Sequence, residues 1–460
     1  MVRIRSFLSQ NRWLIIAIIS FLVGTLIRFY YGLNTDLWND EAISYFISRD
    51  TTWTDLFFSK GNYHDLMHPP LYYIFLKLML IINEADWWLR LTSLVWFFPS
   101  IYLVYKIASF FKNRKTTLLA ISLFSLHPLL INLAFQVRSY SLLIFFMLFI
   151  IYMICSNFFQ PKLSKTIFIA LLLSISFFIN YGAIWLIFSL FFLGIYLFFS
   201  EQKIHSKNLF LSLILFFVFS IYQIIILLNY LLIKKIGSPI AGSVPYFDIN
   251  WLIYHLRMLL GNDYIGFYLP LILIINTINF KKNKLLINQF FFFSFLTTVL
   301  LAIIISIFLF PVFLARQLVL FSIISVFVFA QFHQKLRQEL VLFLTLVVYT
   351  INSLTGYNFL FATNIETTIK NKVPSNSIIL LLDDYDSINY YLIVNRNNSS
   401  IYSIKRYIFK NQDLEDKLLT ESITNVFFIK NQFISNDELE TKKSLQDNIC
   451  QKYHCVDLDF

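Results

Sequence analysis

Charged residues are scarce in this sequence. Of its 460 residues, 14% are Asp, Glu, Lys or Arg, whereas 58% are hydrophobic and 19% are aromatic. A soluble globular domain carries about 25% charged residues, so the composition excludes that class and predicts a polytopic membrane protein. We expect it in the plasma membrane. The net charge is +11, but Lys and Arg form short clusters between apolar runs. Nucleic-acid binding would need a basic face, so no nucleic-acid partner is expected.

Cysteine is also rare, with three residues in the chain. Cys155 lies in an apolar run and is predicted to be inert packing. Cys450 and Cys455 bracket a four-residue segment near the C-terminus, and three states stay open for them. They could form a disulfide if the tail faces an oxidising compartment, remain free thiols, or bind a metal with His454, which would leave too few ligands for a closed site.

No small-residue cleavage site follows the first apolar run. This run extends from Trp13 to about Tyr31, which is long enough to span a bilayer, and three arginines precede it. We therefore expect an uncleaved anchor with a cytoplasmic N-terminus. Residues 32–88 are expected to form the first extracytoplasmic loop. The apolar stretch 71–82 within it is too short to span and is expected to lie in the interface.

The distribution of Lys and Arg predicts the topology of the later helices. If 71–82 does not span, the inside loops hold Lys112, Arg114, Lys115, Lys162, Lys165, Lys203, Lys207, Lys281, Lys282, Lys284, Lys335 and Arg337. The outside loops then hold Arg138, Lys234, Lys235, Arg257 and Arg316. The opposite assignment would violate the positive-inside rule. Alternation predicts about eleven transmembrane helices, the later ones near 89–110, 116–135, 140–159, 166–180, 182–200, 208–230, 264–280, 286–310, 316–331 and 339–355.

The composition changes after Thr355. Residues 356–460 are polar and charged, and they contain two strand-like segments at 377–384 and 426–429. We expect a transmembrane domain over residues 1–355 and a small α/β domain after it. Helix parity places this second domain on the extracytoplasmic side.

Two adjacent carboxylates, Asp40 and Glu41, follow the first apolar run. An ionised side chain at mid-membrane costs roughly 3 kcal/mol or more, so both are expected in an interface, a cavity or a loop. The sequence His-Pro-Pro-Leu-Tyr-Tyr begins at His68, and Trp-Trp-Leu-Arg-Leu-Thr-Ser occupies residues 87–93. The tryptophan pair is expected to be an interfacial anchor, with Arg90 snorkelling beside it.

These motifs resemble the GT-C polyprenol-phosphate-sugar transferases of glycosyltransferase family 39, which include the protein O-mannosyltransferases and the aminoarabinose transferases. Gln-Val-Arg-Ser-Tyr at residues 136–140 resembles the family's Arg-x-Tyr pattern. Phe-Leu-Ala-Arg-Gln at 313–317 resembles its late Arg-Tyr pattern, with Gln317 in place of the aromatic residue. The resemblance covers about residues 1–330. It implies a GT-C fold and an inverting transfer of a hexosyl or pentosyl group.

The resemblance also implies the substrates and the general base. The donor would be a polyprenyl-phosphate sugar, and the acceptor a lipid, a polysaccharide or a protein of the cell envelope. Asp40 would deprotonate the acceptor hydroxyl, and Glu41 would orient the acceptor or support Asp40. The structural alternatives are an N-cap for Asp40 and complementarity to the helix dipole for Glu41.

Four further residues are expected to bind substrate. Arginine holds a phosphate through its bidentate fork, which suits Arg138 and Arg316; snorkelling to headgroups is their alternative. Tyr140 completes the first arginine motif. His68 would contact the donor phosphate or merely cap a proline-held loop. A divalent cation bound by His64 and His68 is a further option, although the prolines break any helix that would align them.

Two other classes of function stay open, a lipid-linked sugar transporter or flippase and a non-catalytic membrane scaffold. Transporters use inverted repeats and Gly/Pro-broken helix pairs, and neither is expected in this sequence. Charged residues within the spans are also few. A scaffold would have no need of acidic and cationic groups concentrated at one interface, so the enzyme is the prediction.

Overall fold

A computed structural model gives the architecture. It describes residues 2–60, 68–159, 161–200, 202–233, 249–260, 286–308, 316–335 and 339–354, with four strands at 378–381, 400–403, 425–429 and 454–458. The predicted helix near 264–280 lies outside the described residues, as do His64 and Cys450. The state of the two C-terminal cysteines therefore stays a prediction.

Helices make up nearly all of the described chain before residue 355. They are α1 (Val2–Asn34), α2 (Asn39–Asp50), α3 (Trp53–Phe58), α4 (Leu71–Leu80), α5 (Asp86–Leu94), α6 (Phe97–Ser109), α7 (Arg114–Leu126), α8 (Pro128–Phe135), α9 (Tyr140–Phe159), α10 (Leu163–Ile179), α11 (Ile184–Phe199), α12 (Lys203–Ile233), α13 (Ile249–Leu260), α14 (Leu286–Phe308), α15 (Val319–Lys335) and α16 (Glu339–Leu354). A one-turn 3-10 helix, Tyr181–Ala183, joins α10 to α11.

Six of the described helical segments are long and apolar enough to cross a membrane, and a bent pair would make a seventh. The chain is therefore a polytopic helical membrane protein, as its composition predicted. Several predicted ranges are close to the observed helices, and α9 occupies Tyr140–Phe159, the range expected for it. The helix α4 has ten residues, which is too short to span, as expected for 71–82.

The predicted single helix near 116–135 is in fact two helices. α7 ends at Leu126 and α8 begins at Pro128, and their axes are bent by 56°. Pro128 occupies the first turn of α8, where its missing N–H removes no helical hydrogen bond. Hydropathy is continuous across this break, which is why the apolar run looked like one span. The expectation that the chain has no proline-broken helix pair was wrong.

A buried arginine caps the end of α7. Inside a bilayer, the last carbonyls of a broken helix need hydrogen-bond donors from the protein. Arg28 of α1 supplies them: Nη1 donates to the carbonyl of Ser125 at 2.6 Å, and Nη2 to that of Phe124 at 3.5 Å. Its guanidinium also lies 4.0 Å from the centre of the Phe97 ring. Arg28 is 1% exposed, and its positive charge faces the negative end of the α7 dipole.

A second buried arginine caps the end of α8. Nη1 of Arg90, on α5, donates to the carbonyl of Phe135 at 3.1 Å. The Arg90 side chain is 2% exposed, and its guanidinium lies 5.7 Å from the centre of the Phe135 ring. The expectation that Arg90 snorkels to lipid headgroups was therefore wrong. Its charge is directed inward, to the last turn of α8.

The chain divides into two compact units. The first comprises Met1–Leu33, Ile47–Leu80 and Leu89–Phe359, and the second comprises Asn34–Phe46, Ile81–Trp88 and Leu360–Phe460. In the first unit, α9 packs on α6 and α10, α12 packs on α10 and α11, and α15 packs on α7 and α14. The predicted domain boundary at residue 356 stays a prediction, because the second unit also takes two short segments from the loop 32–88.

The second unit contains a four-stranded parallel sheet with strand order β2-β1-β3-β4. Its strands are β1 (Ile378–Leu381), β2 (Ser400–Ser403), β3 (Asn425–Ile429) and β4 (His454–Leu458). β1 and β3 confirm the two predicted strands. β2 and β4 were missed because their sequences, Ser-Ile-Tyr-Ser and His-Cys-Val-Asp-Leu, carry no continuous apolar run. Each parallel pair requires a crossover connection, and these connections lie outside the described residues.

A glycine allows α1 to approach α7 at the capped end. A Cβ on Gly24 would lie 2.2 Å from the carbonyl oxygen of Ser125. We expect Gly24→Ala to destabilise the protein by roughly 1–3 kcal/mol through overpacking, although alanine alone favours a helix by about 1 kcal/mol. Gly194→Ala is the matched control, because its Cβ would meet only the Phe210 ring, at 3.2 Å. Thermal unfolding in one detergent compares the two; equal midpoints would contradict the close approach.

Candidate active site

The structure brings two of the predicted site residues together. Nη2 of Arg138 lies 3.0 Å from Nε2 of His68. A guanidinium has no acceptor, so Arg138 donates and His68 accepts. The two residues are 70 positions apart, and neither motif alone predicts the contact. Because the Nε2 lone pair is engaged, a metal ion at that nitrogen would have to displace Arg138.

Arg138 occupies the short loop between α8 and α9, residues 136–139. Its backbone N–H donates to the carbonyl of Gln136 at 2.7 Å, and the Gln136 amide donates to Asn132 Oδ1 at 2.7 Å. Arg138 is 5% exposed, and Tyr140, which begins α9, is 4% exposed. The arginine is therefore directed into the protein and does not snorkel to headgroups.

The acidic pair lies in the first turn of α2, within the second unit. The helix begins at Asn39, so Asp40 is inside it and is not its N-cap. Glu41 is fully buried, and its Oε2 accepts the backbone N–H of Trp38 at 3.0 Å. This bond is one half of a capping box, which gives Glu41 a structural role in starting the helix. Asp40 is partly exposed in the same turn.

A further contact joins the short segments of the second unit. Tyr45 of α2 is fully buried, and its hydroxyl donates to Glu84 Oε2 at 2.9 Å. Glu84 lies in the segment Ile81–Trp88. The helical stretch that carries Asp40 is thus fixed at its start by the bond between Trp38 and Glu41, and further along by the bond between Tyr45 and Glu84.

Arg316 lies in a turn just before α15, and its positive charge acts on His255 of α13. Burial, and then the Arg316 charge, lower the pKa of His255 from 6.5 to about 4.

α13 is held at its last turn by the carbonyl of Leu259. That oxygen accepts from His127 Nε2 at 3.1 Å and from the Ser322 hydroxyl at 2.8 Å.

The predicted site residues are divided between the two units. The first unit contains His68, Arg138, Tyr140 and Arg316, whereas the second contains Asp40 and Glu41. Convergence of the carboxylates with the cationic residues therefore stays a prediction. Within the described residues, no group of three or more His, Cys, Asp or Glu side chains is placed to hold a metal ion. The divalent cation at His64 and His68 also stays a prediction.

Sequence reasoning missed Asn180, at the end of α10. Its Nδ2 donates to Ser139 Oγ at 2.7 Å, and its Oδ1 accepts the N–H of Gly182 at 2.7 Å. The sequence Asn-Tyr-Gly is typical of a turn closed by an asparagine side chain, and that signal could have found it. Arg28 was also missed, although an ionisable residue inside an apolar run marks a special position.

Comparison with known proteins first gives a family match over part of the chain. Residues 67–226 match the family described as dolichyl-phosphate-mannose-protein mannosyltransferase. The matched range contains His68, Arg138, Tyr140 and Asn180, and it confirms the resemblance that the motifs indicated. No curated protein matched the sequence.

Solved structures then give particular relatives of the fold. ArnT from Cupriavidus metallidurans bound to undecaprenyl phosphate superimposes with a TM-score of 0.56 at 10% identity, covering 97% of this chain and 90% of ArnT. The archaeal oligosaccharyltransferase AglB from Archaeoglobus fulgidus, in complex with an inhibitory peptide and a dolichol-phosphate, gives a TM-score of 0.53 at 10% identity. That match covers 85% of this chain but 64% of AglB, which is less than two thirds. At these identities the likeness establishes the fold, which is GT-C.

The lowered pKa of His255 predicts a pH-dependent stability. The unfolded chain, with a pKa of 6.5, binds the proton more readily than the folded protein, with a pKa of about 4. Stability should therefore be fully present above pH 6.5 and fall as the pH decreases to about 4. We expect His255→Gln to lose less stability over this interval than the wild type, measured by thermal unfolding at pH 7 and 4.5. Identical losses would mean that other groups carry the pH dependence.

Proposed function

We propose that this protein is an inverting glycosyltransferase that moves a sugar from a polyprenyl-phosphate donor to an acceptor at the outer face of the membrane. The observation that carries the proposal is the buried Arg138 held against His68, 3.0 Å away, within the range that matches the mannosyltransferase family. A guanidinium is a planar fork of N–H donors that suits a phosphate. Held in place inside a GT-C fold, it provides a site for the phosphate of a lipid donor.

The chemistry follows from these groups. The oxygen of the acceptor hydroxyl attacks the anomeric carbon while the bond from that carbon to the phosphate oxygen breaks, so the configuration inverts. Asp40 takes the hydroxyl proton as general base. The leaving group is a polyprenyl phosphate, whose negative charge grows during the reaction, and Arg138 and Arg316 stabilise it. The sugar is thus transferred without a covalent enzyme intermediate.

The remaining site residues have supporting roles. Glu41 maintains the first turn of α2 through its bond to Trp38, which fixes the backbone of Asp40. His68 orients the Arg138 fork, because its Nε2 accepts one of the guanidinium N–H groups. Tyr140 begins α9 directly after the Arg138 loop and is proposed to contact the donor.

Two solved relatives of the fold support the donor class and leave the acceptor open. ArnT is bound to undecaprenyl phosphate, and AglB is in complex with a dolichol-phosphate and an inhibitory peptide. A polyprenyl-phosphate sugar is accordingly the proposed donor here. The acceptor is a lipid, a polysaccharide or a protein of the cell envelope.

The proposed topology follows from charge and helix parity. About eleven transmembrane helices place the N-terminus in the cytoplasm and residues 356–460 outside as a small α/β domain. Asp40, Glu41, His68, Arg138 and Arg316 would then all lie near the outer interface. The donor's lipid would reach them laterally from the bilayer.

Asp40→Asn tests the general base. The substitution keeps the shape of the side chain and removes the base, so transfer should fall by about 100-fold or more. The measurement is sugar transfer by purified protein from defined polyprenyl-phosphate sugars. Asp50→Asn is the matched control: Asp50 ends the same helix, is exposed, and pairs with the neighbouring Arg49, so full activity is expected. Full activity in Asp40→Asn would place the base elsewhere.

Arg138 variants test donor binding. Arg138→Met removes a charge-assisted hydrogen bond worth about 1.5–3 kcal/mol, so the KM for the donor should rise roughly 10- to 100-fold. Arg138→Lys keeps the charge but not the fork. Its donor KM should therefore lie between that of the wild type and that of Arg138→Met. Steady-state kinetics at varied donor concentration separate KM from kcat. If both the donor KM and kcat are unchanged in Arg138→Met, Arg138 is excluded as a phosphate ligand.

A lipid-linked sugar flippase is the second candidate, because of one observation. The pair α7 and α8 is bent by 56° at Pro128, and broken helices are a feature of transporters. Proteoliposomes separate the two functions. A flippase would move the donor across the bilayer without any acceptor, whereas the enzyme would consume donor only when acceptor is present.

A further inference from the structure

Asn180 lies between two turns that each carry a site arginine. It ends α10 and opens the one-turn helix Tyr181–Ala183, and its side chain is 9% exposed. Its Nδ2 donates to Ser139 Oγ at 2.7 Å. Ser139 directly follows Arg138, so this bond attaches the Asn180 turn to the loop 136–139.

The other end of the same amide group fixes Gly182. Asn180 Oδ1 accepts the Gly182 N–H at 2.7 Å. A Cβ on Gly182 would lie 3.3 Å from the carbonyl oxygen of Gln317, so the glycine backbone packs tightly against the residue that follows Arg316. Asn180 therefore reaches the Arg316 turn through Gly182, just as it reaches the Arg138 loop through Ser139.

We propose that Asn180 is a positioning residue that sets the distance between the Arg138 loop and the Arg316 turn. This inference rests on the proposed function, in which both arginines hold the donor phosphate. Two guanidinium groups can share one phosphate only when their separation is fixed, and a misplacement of about 1 Å can lower a rate about 100-fold. Asn180 touches neither sugar nor phosphate in this scheme. It acts through Ser139 and Gly182.

Asn157 provides a matched control on the same two helices. It is also a buried asparagine, 5% exposed. Its Nδ2 donates to Thr166 Oγ1 at 3.5 Å, and its Oδ1 accepts the N–H of Lys162 at 3.0 Å. It thus joins the end of α9 to the start of α10. Asn180, by contrast, follows the end of α10 and donates to Ser139, the residue before α9 begins. Asn157→Ala removes an equivalent amide at the opposite ends of these helices.

Hydrogen–deuterium exchange of the full chain in detergent tests the positioning directly. We expect Asn180→Ala to speed exchange about 10-fold in both segments, 136–139 and 316–318. The first segment loses its hydrogen bond from Asn180, and the second loses the support of Gly182, whose N–H Asn180 accepts. Ser139→Ala should speed exchange in 136–139 alone, and Asn157→Ala in neither segment. The proposal is overturned if Asn180→Ala affects one segment only, or if Asn157→Ala has the same effect.

Binding of undecaprenyl phosphate to the purified protein then separates this inference from the proposed function. Asn180→Ala should weaken binding about 10-fold. This loss should vanish when Arg138 is already Met, because the spacing of the two guanidinium groups no longer matters once one of them is absent. Additive losses would overturn positioning through Arg138. If Asn180→Ala fails to fold, Ser139→Ala tests the Arg138 side of the proposal in the same binding comparison, because it removes the acceptor of the Asn180 bond. If the wild type does not bind undecaprenyl phosphate while the exchange results hold, the proposed function fails and the positioning of the two turns stands.

Discussion

The break between α7 and α8 leaves backbone carbonyls without helical partners in an apolar part of the molecule, where an unsatisfied polar group costs several kcal/mol. Arg28 and Arg90 meet this requirement with buried guanidinium groups. The consequence extends to the candidate site. Arg90 fixes the last carbonyl of α8, and the Arg138 loop begins at the next residue. The contact between Arg138 and His68 therefore depends on a helix end that is capped from α5.

The fold is shared with proteins of about 10% identity, and the physics of lipid exposure explains why so little sequence is needed. A helix face that meets lipid, or a core that packs apolar side chains, accepts many exchanges among large aliphatic and aromatic residues. The polar contacts inside the helical part are more specific, because a buried donor needs an acceptor at one distance and angle. Such specific polar contacts are made by Asn132, Ser139 and Asn180.

The sequence predicted the class of fold well and the site only in part. Hydropathy found α9 at its observed ends, and apolar β-prone runs found β1 and β3. The break at Pro128 was missed, because both halves are apolar and a hydropathy window averages across one residue. The site residues were found by resemblance, but the contact of His68 with Arg138 joins positions 70 apart. No local sequence pattern predicts a contact between residues so far apart in the chain. Arg90 was misplaced because a charge in an apolar run was assigned to the headgroups rather than to a helix end.

The cap on α7 also bears on how the protein is made. Arg28 and its acceptor at Ser125 are separated by 97 residues, so α1 leaves the ribosome long before its partner exists. Alone in lipid, the arginine would lack the carbonyl partners that it has in the folded protein, and a charge within a span is costly. We therefore expect α1 to be retained at the insertion machinery, or shielded by a chaperone, until α7 has been synthesised. Helix assembly, rather than insertion of independent spans, would then set the order of biogenesis.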